Sequence, residues 1–323
     1  MPRPPLSACF RAVAAAVCLA GVVDLMSRAT ETTAHADGQQ PAATRQPPVT
    51  FDSKLAWEHL RRQVAFGPRP AGSAALNETR RYILEQLKKS GIEGRQQVFI
   101  AKTPLGETSM ANIIATIPGR RRDRIILASH FDTKRAPDFR FVGANDGASS
   151  TAALLELGRV LASRSNELTI ELLFLDGEEA VNWNWGTTGV DNTYGSRHYV
   201  DAAQKAGTLT GIKAFVLLDM IGDRELVLRR DLRSTGWLVD IIWSTAARLG
   251  HDAVFSNEPT EIEDDHIAFL RAGVPAVDVI DLEYPQWHTA QDDLEHVSAR
   301  SLQIVGDVIL SSLPAIEKRA VQP

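Results

Sequence analysis

Three short, strongly apolar runs constrain this chain more than any other feature: "RIILAS" at 124–129, the stretch closing in "ELLFL" at 168–175, and "IKAFVLLD" at 212–219. Each has the length of a strand but not the polar alternation of a half-exposed one, so both of its faces must be covered. Segments of helical periodicity stand between them, at 148–163 and 194–206. Apolar strands alternating with helices predict an α/β fold, a three-layer α/β/α sandwich about a mixed, largely parallel central sheet.

The rest of the pattern extends this layout. Helical periodicity covers 53–65 and 73–90, with the Pro/Gly-rich turn "FGPRPAGS" between them. Further strands are predicted at 95–101, 111–117 and 275–280, with a short run at 226–230, and further helices at 235–249, 265–272 and 299–313. From Phe51 to Pro323 the composition does not shift and no repeat or long linker appears, so one domain is expected over 51–323. "GRRRDR" at 119–124 reads as a solvated turn, and Trp237 and Trp243 read as packing residues of an amphipathic helix.

The first 36 residues differ. Arg3 and Arg11 precede an apolar run from Ala12 to Val23, and Ala34-His35-Ala36 gives the small-x-small pattern of a signal-peptidase site. Residues 1–36 therefore read as a cleaved export signal, and the protein as periplasmic or secreted with no membrane span after cleavage. A retained anchor fits less well because the run falls short of the roughly 20 residues that cross a bilayer. A lipoprotein site fits poorly too, since Val17 precedes Cys18 where a small residue is usual. Residues 37–50 are rich in Pro, Gln and Ala and read as a flexible leader. Both cysteines, Cys9 and Cys18, fall inside the export signal, which excludes a disulfide framework or a thiolate metal site in the mature chain. A net charge of −5 and a pI near 5.9 leave no basic face, which argues against nucleic acid as a partner.

In sheets of this kind, ligands bind beyond the carboxyl ends of the strands. The residues there can be read directly. "RIILASHFD" ends in His130 and Asp132, and the loop after it carries Asp146 in "GANDGASS". "ELLFLDGEE" ends in Asp176, Glu178 and Glu179, "FVLLDMIGD" in Asp219, and "PAVDVIDLEYPQWHT" in Trp287 and His288. Taken singly, each has a plain structural reading: an Asp after a strand caps a helix or forms a turn, a lone His is solvated, and paired glutamates open a helix. Their convergence on one sheet edge makes a site the better reading. Oxygen and nitrogen donors without thiolate suit a catalytic Zn²⁺ with three protein ligands and an open fourth position. Adjacent residues in an extended segment point to opposite sides, so one of Glu178 and Glu179 can bind metal while the other faces the reacting atoms.

These motifs, "SHFD", "GANDGAS", "DGEEA", "LLDMIGD" and "WHT", resemble those of metallopeptidase family 28, the zinc aminopeptidases. A tryptophan-containing insert after "DGEEA", then "YGSRH" (194–198), "EDDHIAFLRAGVP" (263–275) and Trp287 directly before His288, resemble the animal-type glutaminyl cyclases within it. The resemblance implies a zinc exopeptidase-like fold, one Zn²⁺ held by Asp146, Glu179 and His288, and Glu178 as general acid/base. It makes Asp219 and Asp264 the acids of the adjoining network and Trp287 a pocket indole, with Trp183 and Trp185 both candidates for the other. Asp278 stands where the animal enzymes carry a histidine, a departure on the substrate side.

The reaction so implied is closure of an N-terminal glutamine of a peptide or protein onto its own side-chain amide, giving pyroglutamate and ammonia. The alternative is a zinc aminopeptidase that hydrolyses N-terminal residues, in which His130 and Asp219 complete a second metal site bridged by Asp146. Tryptophans on both sides suit a small, dry pocket and favour cyclisation. A non-enzymatic binding module is disfavoured by the complete set of ligands and acids.

Overall fold

A computed structural model of the chain describes residues 49–182, 185 and 190–322. The segment read as an export signal, and most of the leader, lie outside the described residues. The central sheet has six strands: β1 (Gly94–Thr103), β2 (Gly106–Ile117), β3 (Arg121–His130), β4 (Leu168–Leu175), β5 (Ile212–Asp219) and, named by its place in the chain, β8 (Ala276–Ile280). Their order is β1-β2-β4-β3-β5-β8. The pairs β4–β3, β3–β5 and β5–β8 are parallel, whereas β1–β2 and β2–β4 are antiparallel. The sheet is thus mixed, with its parallel half where the three apolar runs lie.

Those runs are largely apolar because each alternation feeds a different buried layer, with Glu171 of β4 a buried charged exception. Ile125, Leu127, Leu172, Phe174, Val216 and Leu218 pack into one cluster with α1 (Ser53–Ala65), α2 (Ala74–Lys89), α3 (Ala148–Ala162), α5 (Gly236–Arg248) and α7 (Ala299–Ala320). Ile126, Ala128, Leu173, Leu175, Phe215 and Leu217 pack on the opposite face with α4 (Tyr194–Lys205) and α6 (His266–Arg271). Side chains on a strand alternate between faces, so a strand covered on both sides loses its polar positions. Phe215 and Phe269 stack across the second layer with ring centroids 3.7 Å apart. Asp52, Ser73 and Ser298 cap α1, α2 and α7, each accepting from a backbone N–H of the first turn.

Three local expectations change. The basic run at 119–124 is not wholly a turn: Arg121 already belongs to β3, and Arg124 pairs with buried Glu171 at 3.2 Å. The run at 226–230 becomes β6 (Leu228–Asp231), which pairs in parallel with an unexpected β7 (Phe255–Thr260) in a separate small sheet. The last helix runs through Pro314 to Ala320 rather than stopping at 313, because Leu313 and Ile316 stay buried on one face and Glu317 accepts from the N–H groups of Glu167 and Leu168. Among the described residues no helix is long and apolar enough to cross a membrane.

Candidate active site

The carboxyl ends of β3, β4, β5 and β8 meet at one edge, and the candidate residues lie on the loops that leave it. His130 ends β3 and Asp219 ends β5, so their side chains meet across the paired strands, Nε2 to Oδ1 at 3.0 Å. Asp146 lies immediately before the start of α3, where Gly147 takes φ +86° and lets the chain turn into the helix. A side chain on Gly147 would lie 2.6 Å from the carbonyl oxygen of Asp132, so the close approach of the two loops requires glycine there.

After β4 the chain turns at Gly177, with φ +71°, into the two glutamates. Asp132 holds them: its two carboxylate oxygens accept the backbone N–H of Glu178 and of Glu179, each at 3.2 Å. Asp176 is structural, salt-bridged to Arg80 at 3.0 Å and accepting from the N–H of Ala111 at 2.6 Å. His288 sits in the loop after β8 with φ +54°, a left-handed backbone unusual for a residue other than glycine. Such strain persists only where the surroundings impose it, and it gathers at functional sites.

Asp146, Glu179 and His288 converge. His288 Nε2 lies 3.1 Å from Glu179 Oε1 and 3.3 Å from Asp146 Oδ2. Zinc bonds of about 2.0–2.2 Å in tetrahedral geometry set ligand atoms roughly 3.3 Å apart, so the spacing fits that ion. The buried Asp146 Oδ2 faces the His288 imidazole, at 3.3 Å, where a cation between the two would serve both. A second group, His130, Asp146 and Asp219, also brings its donor atoms within 4.8 Å of one another and shares Asp146. The residues for one metal or for two bridged by Asp146 are therefore assembled.

The electrostatics separate the two glutamates. Burial pushes Glu178 well above the usual carboxyl range; the His130 charge opposes this, while nearby Asp264 and Glu179 add to it. Burial also raises Glu179, as does Asp146, while His288 and Lys134 draw it back. Burial would lower His288, but Glu179 and Asp146 outweigh it and lift the imidazole to about 9. Burial opposes ionisation of Asp146 too, yet bonds to His130 and His288 hold its carboxyl well below the ordinary value. Asp264 is pushed up to about 6 by burial and by the Asp219 charge.

These groups line a cavity of about 280 Å³ together with Met220, Ile262, Ile280, Leu282, Trp185 and Trp287. Trp287 is 39% exposed and stacks on His288 with centroids 4.2 Å apart. Trp185 lines the same cavity, and its carbonyl accepts from Asn192 at 2.9 Å. Trp183 lies outside the described residues. Asp278 is buried, 3.6 Å from His266, and is not among the residues that line the cavity. Trp243 packs edge-on against Phe255, away from the site. Sequence reasoning gave Asp132 no role, and it missed Asp292, which accepts the N–H of Asn145 at 2.7 Å and of Asp146 at 3.1 Å. The available signal was an acid four residues after His288.

Residues 112–313 match peptidase family M28. A glutaminyl-peptide cyclotransferase-like protein of Mus musculus is 34% identical over 255 residues, spanning 69% of this chain and 66% of that protein, slightly under two thirds of its length. A glutaminyl-peptide cyclotransferase of Drosophila melanogaster is 32% identical over 253 residues, 70% of this chain and 71% of that protein. The crystal structure of an Acidobacteriales bacterium glutaminyl cyclase superposes with a TM-score of 0.79 at 38% identity, covering 87% of this chain and 99% of the other. With its strand-end acids and histidines in place, this chain belongs to peptidase family M28, among the members similar to glutaminyl-peptide cyclotransferases.

Proposed function

We propose that this protein is a zinc-dependent glutaminyl-peptide cyclotransferase that converts the N-terminal glutamine of peptides or proteins to pyroglutamate with release of ammonia. The observation that carries the reading is Glu178: a buried carboxyl of raised pKa, beside the Asp146–Glu179–His288 donor set, in a cavity bounded by two indoles. Zinc held by those three residues would supply Lewis acidity at the γ-carbonyl oxygen of the substrate. The free α-amine, with a reference pKa of about 7.7–8.0, is largely protonated near neutral pH and must lose a proton to attack. Once that proton has gone to solvent and the neutral amine attacks, Glu178 takes the further proton that the attacking nitrogen sheds as the new C–N bond forms, and returns it to the amide nitrogen as the old C–N bond breaks and ammonia leaves. A raised carboxyl pKa brings acid and base roles within reach of the same group.

Asp264, Glu179 and Asp265 keep the charge of Glu178 unfavourable enough to hold the proton between the two transfers, and Asp219 raises Asp264 in turn. Trp287 and Trp185 pack on the substrate, hold the ring-closing geometry and exclude water, which would otherwise compete as nucleophile. The charged and apolar pattern of residues 1–36 supports export, to the periplasm or beyond, as the setting.

The His130–Asp146–Asp219 group favours a second reading, a two-metal aminopeptidase. Burial opposes a charge on His130, but Asp219 and Glu178 raise its pKa, so an imidazolium supplies positive charge where that reading places a second ion. One assay separates them. Purified protein is incubated with a Gln-initiated and a Leu-initiated peptide and followed by mass spectrometry. Loss of ammonia from the first, with the second intact, is the expected result; trimming of the second overturns the proposal.

A further inference from the structure

We infer that Asp292 is a positioning residue that sets how tightly the metal is held, by clasping together the two loops that carry Asp146 and His288. The inference rests on the metal reading of this site and not on the reaction it catalyses. Asp292 follows His288 by four residues and Tyr284 precedes it by four, and the two close the loop around the histidine: the Tyr284 hydroxyl donates to Asp292 Oδ1 at 3.1 Å. That closure brackets a backbone at φ +54°, a conformation a histidine keeps only when its surroundings impose it. Trp287 N–H to the Tyr284 carbonyl, at 3.1 Å, and Thr289 N–H to the Gln286 carbonyl, at 3.1 Å, tighten the same turn from within.

The other side of the carboxylate reaches across to the second loop. Asp292 Oδ1 also accepts the N–H of Asn145 at 2.7 Å, Oδ2 accepts that of Asp146 at 3.1 Å, and the Asp292 carbonyl accepts the N–H of Ala144 at 3.3 Å. Three consecutive residues ending in one candidate ligand are thus tied to a residue whose own loop carries another, 146 positions away in sequence. Asp292 and Tyr284 are buried, so neither bond is exposed to competing water. The two adjacent N–H donors are met by separate oxygens of one carboxylate, whereas asparagine would set its NH₂ against one of the N–H groups. Outer residues that orient metal ligands contribute substantially to affinity when the ligands themselves sit on loops.

Asp292→Asn and Tyr284→Phe test the clasp by zinc affinity, read by competition with a chromophoric chelator on the otherwise intact chain, alongside thermal unfolding of the metal-free proteins. Asp292→Asn is expected to weaken zinc binding about 10- to 100-fold and Tyr284→Phe by a smaller factor, with the metal-free proteins melting close to the parent. Zinc affinities within about twofold of the parent in the folded variants overturn the inference, as does a fall in metal-free melting temperature with affinity unchanged. If Asp292→Asn does not fold, Tyr284→Phe decides on the same criterion. The readout does not involve turnover, so a failed cyclase assay leaves it standing, whereas a parent protein that binds no zinc removes the metal reading itself.

Discussion

Glu178 and Glu179 share one turn and one clamp, Asp132, yet their surroundings give them opposite work. Glu179 Oε1 faces an imidazole nitrogen and, beyond it, Asp146; Glu178 faces His130 on one side and the acids Asp264 and Asp265 on the other. The first environment suits a metal ligand, the second a carboxyl that must both take and give a proton. Glu178→Gln keeps size and polarity but cannot accept the amine proton, so kcat is expected to fall about 10²- to 10⁴-fold. Zinc content, measured by elemental analysis, is expected to stay at the parent level. Turnover near that of the parent would show that the proton goes elsewhere. Most such residues were legible because they follow apolar strands, where the sheet-edge rule looks for them. Asp264 was legible only through family resemblance, since it precedes a short helix and not a strand end. Asp292 stayed silent, and Asp132, though read at its strand end, was given no role, because both accept backbone N–H groups of distant loops, a pairing that exists only once the chain has folded.

At the scale of elements, the apolar character of β3, β4 and β5 was legible because two buried layers leave few polar positions, Glu171 among them. β7 was not: "FSNEPT" has no apolar alternation and contains Pro259, and it is held by pairing with β6 and by the edge-on contact of Phe255 with Trp243. The end of α7 was hidden for a related reason, since Pro314 is an ordinary stop signal that tertiary burial of Ile316 and Glu317 overrides. Elements also depend on how closely their ends approach. The start of α3 lies against the end of β3 only because Gly147 has no side chain, both for its φ of +86° and for the 2.6 Å that a Cβ would leave to the Asp132 carbonyl oxygen. Gly147→Ala is therefore expected to cost roughly 1–3 kcal/mol in backbone strain and a similar amount in overlap. Urea unfolding checks it, the midpoint shifting down with the slope unchanged; an unchanged midpoint would mean that the two loops can separate without loss.

Across the whole molecule, one sheet edge carries more acid than its neighbouring cations offset. Asp146, Glu178, Glu179, Asp219 and Asp264 line one cavity, with Asp265 and Asp278 also buried, and the imidazoles of His130 and His288 share the counter-charge with Lys134, 3.7 Å from Glu179. This makes the stability of the metal-free protein depend on pH in a definite direction. His288 has a reference value of 6.5 and is lifted in the fold to about 9 by Glu179 and Asp146, against the effect of burial. Between those values the folded protein keeps a proton that the unfolded chain has lost, so stability falls as pH rises. The contribution is whole below about 6.5 and is lost as pH passes through about 9. His130, also raised, acts with the same sign. Metal ligation takes the neutral imidazole, so zinc competes with the proton and stabilises most where the proton is leaving. Chelator-treated protein is therefore expected to melt several degrees lower at pH 9 than at pH 6.5, by scanning calorimetry, with the gap narrowing when zinc is restored. A metal-free melting temperature that is level or rises across this window would mean that His288 is not held between the two carboxylates, and the donor set would lose its geometric basis.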